Sequence, residues 1–314
     1  MHKTDIMRDK LTCTLLILLP VMFAAVSCAE KDNPPSDEEL LRVPFTSALD
    51  QQEKDFYLYL PKGYRDDPNK KWPVLMFLHG NGERGNSKDE LDFVLIHGPL
   101  YEAWVQRKDL PFLIISPQLP MFGLDTVGIP YLTNRDPGII PKRLESGVPD
   151  REPPSKMPNA MAGAEPVDSL PYVTLPKGWD QIEADLLHMI ENVLAEYQGD
   201  AGRVYLTGLS YGGFGTWYIA SRHPELFAAI NPIVGWGHPD LMEPIAGAQL
   251  PVWVFSGGRD PVVPKKYFLP GLNKLEELGH KEVRYTIEED MGHDTWKRVY
   301  AGDDLYTWLL AHSR

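Results

Sequence analysis

The stretch Arg203-Val204-Tyr205-Leu206-Thr207-Gly208-Leu209-Ser210-Tyr211-Gly212-Gly213-Phe214-Gly215 decides the fold. Arg203 to Thr207 is a short run with β-branched and aromatic side chains, the pattern of a buried strand. It enters Gly208-x-Ser210-x-Gly212, and a helical segment follows over Gly213 to Arg222. A strand turning this sharply into a helix lifts the serine out at the strand's C-terminal end. The turn strains the serine backbone and brings the helix close, so the flanking residues must be small, and Gly208 and Gly212 are. Ser210 is therefore the candidate nucleophile.

Outward from that turn, strands alternate with helices. Upstream, Asp55 to Leu60 alternates in hydropathy, and Trp72 to Leu78 and Pro111 to Ser116 are continuous apolar runs suited to strands buried on both faces. Leu95 to Val105 is a candidate crossover helix. From Asp180 to Tyr197, Ile182, Leu186, Met189, Ile190, Val193, Leu194 and Tyr197 recur at three and four residue intervals, which predicts an amphipathic helix. Downstream, Phe227 to Val234, Pro251 to Phe255 and Glu282 to Ile287 read as strands, with helical segments over Leu269 to Leu278 and Thr295 to Ala311. Such alternation predicts an α/β fold: a mostly parallel, doubly wound sheet covered by helices on both faces. Residues 119–176 break the pattern, holding 11 of the 29 prolines without a sustained period. This is an insertion, either a lid beside a pocket, with Phe122, Tyr131 and Tyr172 as apolar candidates, or a surface loop.

A serine hydroxyl needs a base to take its proton, and the base needs an acid to hold its tautomer. After this kind of turn the expected chain order is acid, then histidine. The strand ending at Phe255 leads into Ser256-Gly257-Gly258-Arg259-Asp260-Pro261, and the strand ending at Ile287 leads to Met291-Gly292-His293-Asp294. Asp260 and His293 thus sit in loops at strand C-termini, the edge of a doubly wound sheet where sites form. Asp290 and Asp294 read as caps of the terminal helix, and His238 precedes the acid loop. Attack on a carbonyl develops negative charge on oxygen, which fixed donors must meet. The strand ending at Leu78 opens into His79-Gly80-Asn81-Gly82-Glu83-Arg84-Gly85, so the backbone amides of Asn81 and Tyr211 are assigned to an oxyanion hole, with Gly80 or Gly82 as substitutes for Asn81. Glu83 and Arg84 read as a partly buried ion pair shaping this loop, and His79 as its brace.

The chain has 314 residues, 31 basic and 44 acidic, for a net charge of −13. Phosphate binding needs clustered Lys and Arg, and none occur outside the N-terminus, so nucleic acid is excluded as a partner. Hydrophobic residues at 43% and charged residues at 24% exclude a largely disordered chain and a multispan membrane protein. Lys3, Arg8 and Lys10 precede the apolar run Leu11 to Val26, which ends in Ala25-Val26-Ser27-Cys28. This predicts a bacterial export signal over 1–27 with acylation of Cys28, which anchors the protein to the cell envelope. Cleavage after Ser27 or Ala29 to release a soluble protein is the alternative. Of the two cysteines, Cys13 lies inside the signal, so the mature chain holds one thiol and no internal disulfide. Residues 28–42 are expected as an acidic, proline-bearing tether, and 43–314 as the folded domain.

Five blocks together carry a resemblance: L-H-G-N-G-E-R-G, I-I-S-P-Q, R-V-Y-L-T-G-L-S-Y-G-G-F-G-T-W, P-V-W-V-F-S-G-G-R-D-P-V-V-P and G-H-D-T-W. In this order they resemble the predicted peptidase and esterase branch of the α/β-hydrolases. That branch is similar to polyhydroxybutyrate depolymerases and to the feruloyl and acetyl esterases of carbohydrate esterase family 1. The resemblance runs from about Phe45 to the C-terminus, apart from the insertion, which interrupts the usual short step from S-P-Q to Trp179. It implies a Ser210, Asp260, His293 triad, the trio reached from the residues alone. The expected protein is an exported serine hydrolase acting on carboxylic esters, with esters on glycans as the substrate class implied by the resemblance. No cofactor is expected, and no metal, since there is neither an H-E-x-x-H nor a cysteine cluster. A peptidase with the same triad and a non-enzymatic envelope binding protein are the rival readings.

Overall fold

The structure is a computed structural model that describes residues 36–146, 165 and 167–314. The export signal and the acylated Cys28 expected from the sequence lie outside the described residues. Eight strands, β1 (Glu39–Thr46), β2 (Glu53–Leu60), β3 (Trp72–Leu78), β4 (Leu113–Ser116), β5 (Gly199–Leu209), β6 (Ala229–Ile233), β7 (Val252–Gly257) and β8 (Val283–Glu288), form one sheet in the order β1-β2-β4-β3-β5-β6-β7-β8. β1 pairs antiparallel with β2, and β2 with β4; every other pairing is parallel. The helices are α1 (Pro130–Thr133), α2 (Glu183–Glu196), α3 (Tyr211–Arg222), α4 (Met242–Gly247), α5 (Leu269–Glu277), α6 (Trp296–Ala301) and α7 (Asp304–Leu310).

Successive strand residues point to opposite faces, so the central strands feed two cores. In β3, Val74, Met76 and Leu78 join side chains of α2 to α5, among them Leu186, Met189, Trp217, Ile245 and Leu275. Leu75 and Phe77 join Val94, Val105, Val299, Tyr300, Leu305 and Leu309 on the other face. All seven residues of β3 are buried, as expected for a parallel strand covered on both sides. The apolar runs that lack alternation are therefore the centre of the sheet.

Three expectations about elements change. The tether drawn to residue 42 stops earlier, because Glu39 to Arg42 pair with Tyr57 to Leu60 as the first half of β1. Its acidic residues are neutralised by cations distant in sequence: Arg65 donates to Glu39 at 2.8 and 3.0 Å, and Arg143 and Arg107 hold Glu38. The crossover helix expected over Leu95 to Val105 is two short turns, a 3-10 turn at Leu91–Leu95 and a π turn at Tyr101–Val105. Gly98 separates them at φ +90, packed so tightly on the Phe77 ring that a Cβ would lie 2.2 Å from it. The terminal helix is split into α6 and α7 at Gly302, whose ψ of 172° is extended. Within the insertion, the described residues hold α1 and two 3-10 turns, Leu124–Thr126 and Pro137–Ile139.

Candidate active site

β5 delivers Ser210 to the C-terminal edge of the sheet, and α3 starts at the next residue. Ser210 adopts φ 50° and ψ −117°, a left-handed conformation that is strained for a residue with a side chain. Its N–H donates to Ile233 O at 2.9 Å, and Phe214 N–H donates to Ser210 O at 3.1 Å, so backbone on both sides holds the turn. A Cβ at Gly208 would stand 2.3 Å from Gly212 O, and one at Gly212 only 1.7 Å from Leu78 O. The glycines are needed because α3 and the end of β3 pass that closely.

His293 and Asp260 reach Ser210 from the ends of two further strands. The loop after β7 buries Asp260, whose Oδ1 accepts from Val262 N at 2.8 Å and Val263 N at 3.0 Å. Its Oδ2 accepts from His293 Nδ1 at 2.8 Å, and His293 Nε2 lies 3.0 Å from Ser210 Oγ. With Nδ1 donating to the carboxylate, Nε2 is the lone-pair nitrogen that accepts from the serine hydroxyl. The imidazole also stands edge-on to the Trp296 ring, 5.2 Å between centroids. These contacts give a hydroxyl a base and give the base an oriented tautomer, the arrangement required for acyl transfer.

The rival groups take other places. Asp290 binds Arg298 through both oxygens at 2.7 Å, which holds its carboxyl down at about 2, and Asp294 pairs with Lys297 at 3.3 Å. Both tie to α6 through cationic side chains and neither caps it. His238 accepts from Asp240 N at 3.2 Å and closes a turn before α4.

Asn81 opens a 3-10 turn, Asn81–Glu83, directly after the extended Gly80. This turn lies against the serine turn: a Cβ on Gly80 would touch the Leu209 side chain at 2.7 Å. Tyr211 is the first residue of α3, where N–H groups have no carbonyl of their own helix to bond. The two amides assigned to an oxyanion hole are thus carried by adjoining turns at one strand edge.

The ion pair expected between Glu83 and Arg84 does not form, because each side chain turns to a different part of the chain. Glu83 is buried and accepts from His97 Nδ1 at 2.5 Å; His97 holds its carboxyl below the usual range against the opposing pull of burial. Arg84 donates to Asn81 Oδ1 at 2.5 Å and to the carbonyls of Pro120 and Lys177, each at 2.8 Å. His79 acts as a brace: Nδ1 donates to Gly80 O at 2.6 Å and Nε2 accepts from Leu119 N at 2.9 Å. Complete burial pushes its pKa down to about 4, so it remains neutral. Sequence reasoning missed His97 and Gln118. The Gln118 amide donates to Glu83 O at 2.9 Å and accepts from Ser87 N at 2.7 Å. Its one signal was the S-P-Q block; His97 left none.

Known hydrolases are similar to this chain in sequence and in fold. Residues 179–243 match the prolyl oligopeptidase family. Over 47 residues the chain is 45% identical to poly(3-hydroxyalkanoate) depolymerase C of Paucimonas lemoignei, a match covering 15% of this chain and 11% of the depolymerase. A thermostable esterase superimposes with a TM-score of 0.56 and 26% identity, over 88% of this chain and 63% of its own. A ferulic acid esterase of Anaeromyces mucronatus superimposes with a TM-score of 0.50 and 18% identity, over 89% of this chain and 91% of its own. The chain therefore spans under two thirds of the thermostable esterase and about a ninth of the depolymerase. With its eight-stranded sheet, the serine turn after β5 and these relatives, the chain has the α/β-hydrolase fold and is similar to the branch that includes peptidases and esterases.

Proposed function

We propose that this protein is an exported serine hydrolase that cleaves carboxylic esters through an acyl-enzyme. The observation that carries the reading is the continuous hydrogen-bond path from Ser210 Oγ through His293 to Asp260. Ser210 Oγ attacks the ester carbonyl while His293 Nε2 takes its proton, and Asp260 stabilises the imidazolium that forms. The Tyr211 and Asn81 amides receive the oxyanion. Collapse expels the alcohol, protonated by His293, and water attacks the acyl-enzyme by the same route in reverse.

The substrate class is an ester on, or derived from, a glycan, in keeping with the family resemblance and with delivery to the bacterial envelope through a lipid on Cys28. Apolar side chains favour an aromatic or apolar group beside the ester. Tyr131, Tyr172 and Val262 stand exposed, and Tyr131 reaches the oxyanion loop through its hydrogen bond from Asn81 Nδ2 at 3.0 Å. A serine peptidase with the same triad is the second reading, favoured by the match to the prolyl oligopeptidase family.

Burst kinetics on aryl acetate and feruloyl esters test the proposal, with matched peptide amides alongside. An initial burst that disappears in Ser210→Ala is the expected outcome. Faster turnover of amides than of esters would favour the peptidase. Absence of both turnover and phosphonate labelling would point to a binding protein.

A further inference from the structure

Arg84 is completely buried, yet among the described residues no carboxylate lies within ion-pair distance of its guanidinium. A buried cation without a counter-charge is costly, and such a group persists only where its donors are satisfied and its charge is used. Each of its three nitrogens has an acceptor. Nε donates to Asn81 Oδ1, Nη1 to Pro120 O and Nη2 to Lys177 O. The guanidinium also faces the Tyr211 ring at 4.8 Å from its centroid.

These partners fall into two groups. Asn81 and Tyr211 carry the two amides assigned to the oxyanion hole, whereas Pro120 and Lys177 are the two feet of the insertion, 57 positions apart in the chain. Further bonds tie the same parts together. Arg135, within the insertion, donates to Arg84 O; Tyr131, also within it, accepts from Asn81 Nδ2; and Lys177 Nζ reaches back to Phe122 O at 2.6 Å. The insertion is thereby fastened to the oxyanion loop at several points, and Arg84 is the side chain that reaches both of its feet.

We propose that Arg84 is the positioning residue of the oxyanion hole: it clamps the feet of the insertion, orients the Asn81 turn and the start of α3, and places an uncompensated positive charge beside the developing oxyanion. The inference rests on the serine hydrolase reading above. The cation costs little in the transition state because the negative charge it lacks in the resting protein appears there, so its contribution is larger in the transition state than in the ground state. A lysine would keep the charge but lose the planar fork that spans three acceptors at once.

The test compares Arg84→Lys, Arg84→Met and Ser210→Ala in the full chain on p-nitrophenyl acetate. It also measures inhibition by an aryl trifluoromethyl ketone. Ser210 Oγ adds to the ketone carbon, the hydroxyl proton passes to His293, and the resulting alkoxide occupies the hole. Arg84→Met is expected to lower kcat about 100-fold, the scale of losing one oxyanion donor, and Arg84→Lys about tenfold. KM should stay within about twofold while the inhibitor weakens in step with kcat/KM, since the effect is confined to the charged state. Arg84→Lys retains the buried charge, so it decides the matter if Arg84→Met does not fold. A folded Arg84→Lys with unchanged kcat, or a loss carried by KM with inhibitor affinity intact, overturns the inference. If Ser210→Ala is inactive, either result sinks only the role of Arg84; full activity in Ser210→Ala would instead remove the reading on which it stands.

Discussion

His293 Nε2 lies 3.0 Å from Ser210 Oγ although 83 positions separate the two residues in the chain. The contact exists because β5 and β8 end at the same edge of the sheet, with β6 and β7 between them. Parallel strands place all their C-termini on one side, so loops far apart in sequence converge there. The serine turn supplies a strained, half-buried hydroxyl, and the loops after β7 and β8 supply the acid and the base.

Asp260→Asn should keep the fold and lower kcat by about 10⁴-fold, because an amide at this position favours the wrong imidazole tautomer. Steady-state turnover of an aryl acetate, with circular dichroism to verify the fold, measures it. A loss under tenfold would remove Asp260 from the role of orienting acid.

Acid should destabilise the protein through His79 before carboxylates contribute. Its folded pKa is pushed down to about 4 by burial, below its unfolded value, so the unfolded chain binds more protons between those two values. Stability therefore falls as pH drops from about 6.5 to about 4, by up to about 3 kcal/mol. His280, also lowered by burial, acts in the same direction. Glu83, with its folded pKa lowered, adds a further loss only as pH falls below the ordinary carboxylate value. Urea unfolding midpoints at pH 7, 6 and 5 measure the slope, and His79→Gln should flatten it.

Gly212→Ala should abolish activity and cost about 3 kcal/mol or more. Its methyl group would lie 1.7 Å from Leu78 O, which is backbone at the end of a central strand and cannot move aside. Denaturant unfolding beside the parent gives the cost. A variant of parental stability would mean that the approach of α3 to β3 is looser than described.

Cys28→Ala should move the protein from the membrane fraction to the soluble fraction if the N-terminal cysteine is acylated. Fractionation followed by mass spectrometry of the mature N-terminus provides the measurement. Unchanged partitioning would count against a lipid anchor.

Much of the fold is written locally. Strands buried on both faces must be apolar throughout, and a serine between Gly208 and Gly212 at the end of such a strand can follow few backbone paths, so the α/β class and the position of the serine turn are legible in the residues themselves. The order of Asp260 and His293 after it is equally visible. What tertiary structure alone decided concerns partners. Glu39 reads as solvated acid until Arg65 meets it in β1; Glu83 turns to His97 instead of its neighbour Arg84; and Arg84 spans from Asn81 to both feet of the insertion. Backbone preference and hydrophobic period act over a few residues and are legible locally, whereas the partner a polar side chain finds depends on which distant segments the sheet brings within hydrogen-bonding distance.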